Sequence, residues 1–294
     1  MRLAHHLAVL TAAATCVLIV FGGLVTNTGA ALAVPDWPTT FGHTMFLFPW
    51  SGMVGGVFYE HSHRLLGALV GALTLALAAA LWPRGGRLRG LGVVAVVAVI
   101  LQGVIGGLRV ILLTDGLAMI HGPLAHAFFA LVVSLALVTS PRMAPPPPAV
   151  DGTTRGLTLA AAVLVYGQIV FGALLTHAGR LDLHLAGAMA VFVLLPIVTA
   201  RLRRTGDVVA APAARVLLAL LGIQLLLGVG SYLARFSAIW IPGGQATMLA
   251  LPVAHRLAGG LILAAAVVLA VRVLAGARPA PAAVAAHGVL GVAR

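Results

Sequence analysis

The sequence predicts an all-α polytopic membrane protein, with eight transmembrane helices arranged as two pseudo-twofold related four-helix bundles. Three observations carry that reading. Of 294 residues, 61% are hydrophobic and 8% charged, and apolar runs of about 20 residues, enough to cross a bilayer as helix, recur along the chain. An internal repeat relates its halves: 19–29 reads IVFGGLVTNTG and 169–179 reads IVFGALLTHAG. The net charge of +12 comes entirely from arginine among the basic side chains, with no lysine, and those arginines crowd alternate loops. With lipid as the solvent, this excess sets orientation first and implies no nucleic-acid partner.

The predicted spans are 5–26, 61–82, 91–113, 119–139, 157–177, 183–202, 215–235 and 249–274. An even number places both termini on one side. Arg84, Arg87, Arg89, Arg142, Arg155, Arg201, Arg203, Arg204 and Arg215 fall in the second, fourth and sixth loops, with Arg2, Arg278 and Arg294 at the termini. Only Arg64, Arg109, Arg180, Arg235 and Arg256 lie towards the other face, so the termini are expected in the cytoplasm. The first span follows Arg2 as a secretory signal would, but its twin in the fifth span marks it as structural. The third and seventh spans echo each other more weakly, Gln102 and Gly106 matching Gln224 and Gly228. The expected division is an N-terminal unit over 1–140, a cytoplasmic Pro-rich linker over 141–156, and a C-terminal unit with a short cytoplasmic tail over 157–294. Four spans per unit give parallel repeats about an axis along the membrane normal. The single cysteine, Cys16, lies mid-span, so neither a disulfide nor a thiolate cluster can form.

Chemistry emerges when the histidines are mapped on the repeat. His63, His121, His184 and His255 stand near the outer ends of the even-numbered spans, and the segment His63-Arg64-Leu65-Leu66-Gly67 resembles His255-Arg256-Leu257-Ala258-Gly259. Each unit thus offers two imidazoles at one depth on two helices, an arrangement suited to an iron porphyrin with two axial histidines and apolar helix walls. Zinc fits less well, because no cysteine or second carboxylate joins them. His61 and His126 are rotated away from their neighbours and read as packing or hydrogen-bonding groups. His5, His6, His43, His177 and His287 are assigned no site. Arg64 and Arg256 each follow a candidate ligand, either snorkelling to headgroups or pairing with a porphyrin propionate. The loop before the second span carries Pro35-Asp36-Trp37-Pro38 and reads as an interfacial belt or as a lid over the N-terminal site. Glu60 is the only glutamate, and aligning His63 with His184 places Leu181 opposite it. Ligation alone serves to hold a haem or pass electrons, whereas ligation beside an acid serves proton-coupled oxidation. Chemistry is therefore expected in the N-terminal unit, with Glu60 as catalytic acid–base group, and electron transfer or support in the other.

Gly22-Gly23-Leu24-Val25-Thr26-Asn27-Thr28-Gly29, then Val34-Pro35-Asp36-Trp37-Pro38, then Glu60-His61-Ser62-His63-Arg64, followed by the later histidines, resemble the haem A synthase family over about residues 7–274. The resemblance implies a bacterial cytoplasmic-membrane oxidoreductase that converts the ring methyl of haem O to a formyl group for terminal oxidase assembly. It implies that His63 and His121 ligate the substrate haem O, that His184 and His255 ligate a b-type haem cofactor near Arg256, and that Glu60 is the essential carboxylate. Haem sites are expected towards the extracytoplasmic face, and haem O synthase is the natural supplier. The paired cysteines that many members carry in the outer loops are missing here, so the electron acceptor and relay stay open, as does homo-oligomer formation. A di-haem electron carrier without substrate chemistry and a parallel-repeat transporter with a histidine proton relay are the alternatives; the first leaves Glu60 unexplained.

Overall fold

The computed structural model describes residues 2–239 and 242–276, with the side chain of Asp115 excluded. Arg278, His287 and Arg294 of the expected tail lie outside the described residues. Among the described residues eight α-helices make up the fold: α1 (Arg2–Asn27), α2 (Gly55–Leu81), α3 (Gly86–Leu112), α4 (Asp115–Val138), α5 (Gly152–Ala178), α6 (Leu181–Arg203), α7 (Ala210–Phe236) and α8 (Gly244–Ala275). Each is long and apolar enough to cross a membrane. There is no strand among the described residues, and short 3-10 turns punctuate the loops.

Several helices begin earlier than their apolar runs, because the sequence pattern registers lipid-facing residues while caps and polar first turns extend the helix beyond them. The Asp151 carboxylate accepts from the Thr154 amide and starts α5 at Gly152. Asp207 does the same for the amides of Val209 and Ala210 at the head of α7. The expected start of the second span at 61 is corrected to Gly55, which places Glu60 and His61 inside the helix, buried under the preceding loop. At the end of α5, Gly179 takes a left-handed conformation (φ 69°) and lets α6 begin two residues later.

Helices α1, α2, α3 and α4 pack in a closed circuit, as do α5, α6, α7 and α8. Contacts of α8 with α1 and α4, and of α4 with α5, join the circuits. One apolar core centres on Val70, Leu77, Val132 and Leu135, a second on Leu195, Leu202, Leu217 and Leu269, and Ile19, Phe129 and Ala264 fill the seam. Beside the Pro-rich segment, fully buried Arg272 of α8 pairs with Asp207 at 2.8 Å and donates to the carbonyl of Pro146 at 3.0 Å. Burial pushes the Asp207 carboxyl up, but the Arg272 guanidinium and two helix amides outweigh it and hold it below its ordinary value.

Candidate functional site

The four histidines singled out by the repeat form two pairs. The ring centres of His63 (α2) and His121 (α4) are 6.4 Å apart at an interplanar angle of 71°, and those of His184 (α6) and His255 (α8) 6.2 Å apart at 68°. Two imidazoles bound on opposite sides of one metal through nitrogens at about 2 Å hold their ring centres roughly 6 Å apart. Both pairs therefore have the separation that bis-histidine ligation of a porphyrin iron requires. Among the described residues no group of three or more His, Cys, Asp or Glu side chains converges, so the donors come as pairs.

A glycine on the preceding helix makes room for every ring. A Cβ at Gly22 would stand 3.1 Å from His63, at Gly106 3.3 Å from His121, at Gly172 3.5 Å from His184 and at Gly228 3.2 Å from His255. The sequence contained this signal, since Gly22 with Gly172, and Gly106 with Gly228, are repeat partners, but only the structure ties them to the histidines. A second feature, of which the sequence reading caught only the match of Gln102 with Gln224, is the residue one helical turn before each glycine. In α3, α5 and α7 it is a glutamine. The Gln102 amide donates to the backbone carbonyl of His121 at 3.1 Å; Gln168 reaches the carbonyl of His184 at 2.9 Å and its Nδ1 at 3.2 Å; Gln224 lies 3.3 Å from Nε2 of His255. In α1 the corresponding residue is Leu18.

Glu60 is 5% exposed and fully engaged. Its Oε1 accepts from Arg64 at 2.7 Å, and its Oε2 accepts from the amides of Leu32 and Val34, both at 3.0 Å. Arg64 also donates to the carbonyls of Val34, Asp36 and Thr39, at 3.1, 2.6 and 2.9 Å. With its side chain 9% exposed, Arg64 does not snorkel; it fastens the 28–54 loop to α2. Asp36 shapes that loop by accepting from the Thr39 hydroxyl and from the amides of Phe41 and Gly42. Burial nudges the Asp36 carboxyl up, but these bonds hold it at about 2. The Trp37 indole occupies the place a Cβ at Gly107 would take on α3. His61 is 1% exposed, 3.1 Å from the Thr40 hydroxyl and packed on Phe48, so it braces the loop. The loop thus covers the ends of α2 and α3.

Arg256, which follows His255 as Arg64 follows His63, makes no side-chain hydrogen bond or ion pair among the described residues, and its guanidinium lies 3.5 Å from the Cβ position of Gly23 on α1. His126 packs at Gly260 of α8 and bonds the carbonyl of Gly122, which makes it a seam residue. His5 bonds the carbonyl of Ala136. An apolar groove of about 340 Å³ runs between α1, α2 and the loop, lined by Phe21, Trp50, Phe58, Leu65 and Leu69 among others.

A family model described as cytochrome oxidase assembly protein matches residues 50–181. The chain is 31% identical over 180 residues to a haem A synthase of Shouchella clausii, covering 58% of each chain. It is 29% identical over 175 residues to one of Halalkalibacterium halodurans, covering 57% of each, and 32% identical over 137 residues to one of Bacillus licheniformis, covering 45% of this chain and 44% of the relative. These matches span between 44% and 58% of the relatives' length. The family model ends at 181, within one residue of the start of α6, so the match covers the Glu60, His63 and His121 site and stops before His184 and His255.

Proposed function

We propose that this protein is a haem A synthase that oxidises the ring methyl of haem O through hydroxylated intermediates to a formyl group. The observation that carries the reading is the pair of equivalent two-histidine sites, each ring seated on a glycine, with a buried glutamate, Glu60, three residues before a ligand on the same helix only in the one that the family model covers. In this reading the two helix circuits are the pseudo-twofold related units. His63 and His121 hold the substrate haem O, and the apolar groove between α1, α2 and the loop suits its prenyl chain. His184 and His255 hold a b-type haem, whose chemistry is reversible one-electron transfer through its iron. Arg256, partly buried between helices without an ion-pair partner among the described residues, is the residue suited to a propionate, whereas Arg64 is committed to the loop. Both termini face the cytoplasm and both sites lie towards the extracytoplasmic face.

Glu60 serves the N-terminal site in two ways. With Arg64 it closes the 28–54 loop over the end of α2, which excludes water from the ring edge. It also places a negative carboxylate where hydroxylation of a methyl group releases protons and builds positive charge on carbon. Leu181 in the equivalent place of α6 can do neither. Electrons pass to an acceptor of the membrane, without help from extracytoplasmic thiols, and haem O synthase is the supplying partner.

Pigments extracted from the purified protein test the reading. Haem B together with haem O, hydroxylated haem or haem A is the expected result, and haem B alone would leave a di-haem carrier. Glu60→Gln keeps the size of the side chain and removes its charge. It is expected to lower haem A formed per bound b-type haem by about a hundredfold or more. A ratio near wild type with a lowered yield would reduce Glu60 to a loop anchor.

A further inference from the structure

At the end of the C-terminal circuit far from His184, a cavity of about 730 Å³ opens between the last turn of α6, the turn that follows it and the start of α7. Sites that take small organic ligands commonly measure about 300–1,000 Å³. Ala200, Arg203 and Arg204 stand at i, i+3 and i+4 on α6 and so share one face, while Ala211, Pro212 and Arg215 line the opposite side from α7. Three guanidiniums thus surround a cleft whose walls are otherwise small and apolar. None of the three makes a side-chain hydrogen bond, ion pair or ring contact among the described residues. Asp207, the one carboxylate among the described lining residues, is taken up by buried Arg272 at 2.8 Å and by the amides of Val209 and Ala210, so it does not balance them. Arginines at this end of the helices are expected from orientation alone, but the repeat sets these three apart. In the equivalent turn between α2 and α3, Arg84 donates to the carbonyl of Ala80; Arg89 donates to that of Trp82 at 3.1 Å and lies 5.0 Å from the centre of its indole. Next to the cavity itself, Arg201 is taken up by Thr154 and Asp151.

We infer that this cleft binds the headgroup of an anionic phospholipid, with Arg203, Arg204 and Arg215 on its phosphate oxygens and the start of an acyl chain against Ala200, Ala211 and Pro212. Guanidiniums match phosphate oxygens through paired N–H bonds, and basic pockets between membrane helices on the cytoplasmic side hold such headgroups. A free phosphate ion shares the charge but would leave the apolar half of the lining uncovered, so the lipid is the better occupant. A headgroup gripped by arginines of both helices ties α6 to α7 at the end where the cavity parts them. Roughly 30 Å of α6 separates the cleft from His184, and the inference is independent of what the histidine pairs bind.

The test uses the full-length protein in a neutral detergent, washed free of native lipid and titrated in turn with phosphatidylglycerol, phosphatidylcholine and inorganic phosphate. Bound lipid is counted by native mass spectrometry, and thermal unfolding is followed in parallel. Phosphatidylglycerol is expected to bind as a discrete adduct and to raise the unfolding temperature, whereas phosphatidylcholine and inorganic phosphate at the same concentration do neither. Combining Arg203→Gln, Arg204→Gln and Arg215→Gln should weaken phosphatidylglycerol binding on the order of a hundredfold. The matching set in the other turn, Arg84→Gln, Arg87→Gln and Arg89→Gln, removes as much charge and should leave binding near wild type. Ala200→Trp, at an exposed position, keeps every charge but fills the cleft, and should weaken binding about tenfold or more. Equal loss in the two arginine sets would reduce these residues to general surface charge and overturn the inference. Phosphatidylcholine binding as tightly would make the cleft a plain lipid contact, and inorganic phosphate stabilising as strongly would make it a free-phosphate site; either result overturns the inference. If the triple variant does not accumulate, Ala200→Trp and Arg215→Gln alone decide, and wild-type affinity in both overturns it.

Discussion

Replacing Gly228 with alanine isolates the glycine seat from every other feature of the site. The added Cβ would stand 3.2 Å from Cε1 and 3.5 Å from Nδ1 of His255. Favourable carbon contacts lie at about 3.5–4.0 Å, so the ring has to retreat by roughly 0.3–0.8 Å. Metal–ligand bonds tolerate only about 0.2 Å. The expected cost is a fall in haem retention on the order of 10- to 100-fold, the range seen when the support of a ligand is lost. Alanine is a better helix former than glycine by about 1 kcal/mol, so the fold itself should not weaken. Gly172→Ala is the internal control: it faces His184 of the same pair, but its Cβ would meet the ring at 3.5 Å, an ordinary contact, and haem retention should stay near wild type. The assay is transfer of b-type haem from purified protein to excess apomyoglobin, with thermal unfolding measured in parallel. Equal loss in both variants, or full retention in Gly228→Ala, would refute the argument that ring placement over glycine sets affinity.

Three further outcomes are expected. His184→Ala or His255→Ala should abolish the b-type spectrum, while His63→Ala or His121→Ala spares most of it, because each pair stands on its own two helices; loss of one band from all four variants would contradict two separate sites. Arg272→Met leaves Asp207 buried without its cation and should destabilise the protein by about 3–5 kcal/mol, and a further Asp207→Asn should recover much of this, as read by thermal unfolding in detergent. Asp36, held at about 2 against an ordinary value of 3.8, steadies the loop fully above the ordinary value and loses that contribution as pH falls through about 2. Exchange of the Phe41 and Gly42 amides, corrected for intrinsic pH dependence, should therefore quicken only below about pH 4, and Asp36→Asn should show fast exchange throughout.

The eight spans were legible because lipid leaves the backbone no option but helix, and 20-residue apolar runs signal it directly. Helix starts were less so: Gly55, Gly152 and Ala210 all precede their apolar runs, since caps such as Asp151 and Asp207 and a buried polar turn such as Glu60-His61 carry no hydropathy signal. The histidine pairs were visible through the repeat. Their seats were not, because a glycine beside a ring is a contact between different helices, and the matched Gly22 and Gly172 or Gly106 and Gly228 show only that something recurs. The tie of Arg64 to the loop was not legible for a related reason. Its partners are backbone carbonyls of Val34, Asp36 and Thr39, which no pattern of side chains encodes.

The duplication also makes the two sites comparable residue by residue, and the comparison narrows what distinguishes them. The imidazoles, their separations and their glycine seats are nearly the same in both. The differences gather around His63: Leu18 in place of a glutamine on one side, and Glu60 in place of Leu181 on the other. Arg64 and Arg256 diverge with them, because a carboxylate one turn before Arg64 recruits it to the loop, while Arg256 has none to recruit it. The second substitution also decides the cover: Glu60, with Arg64, fastens the 28–54 loop to α2, and Leu181 carries no group that could do so. The two sites thus match in their imidazoles and part in what surrounds His63, in the stretch that the family model covers.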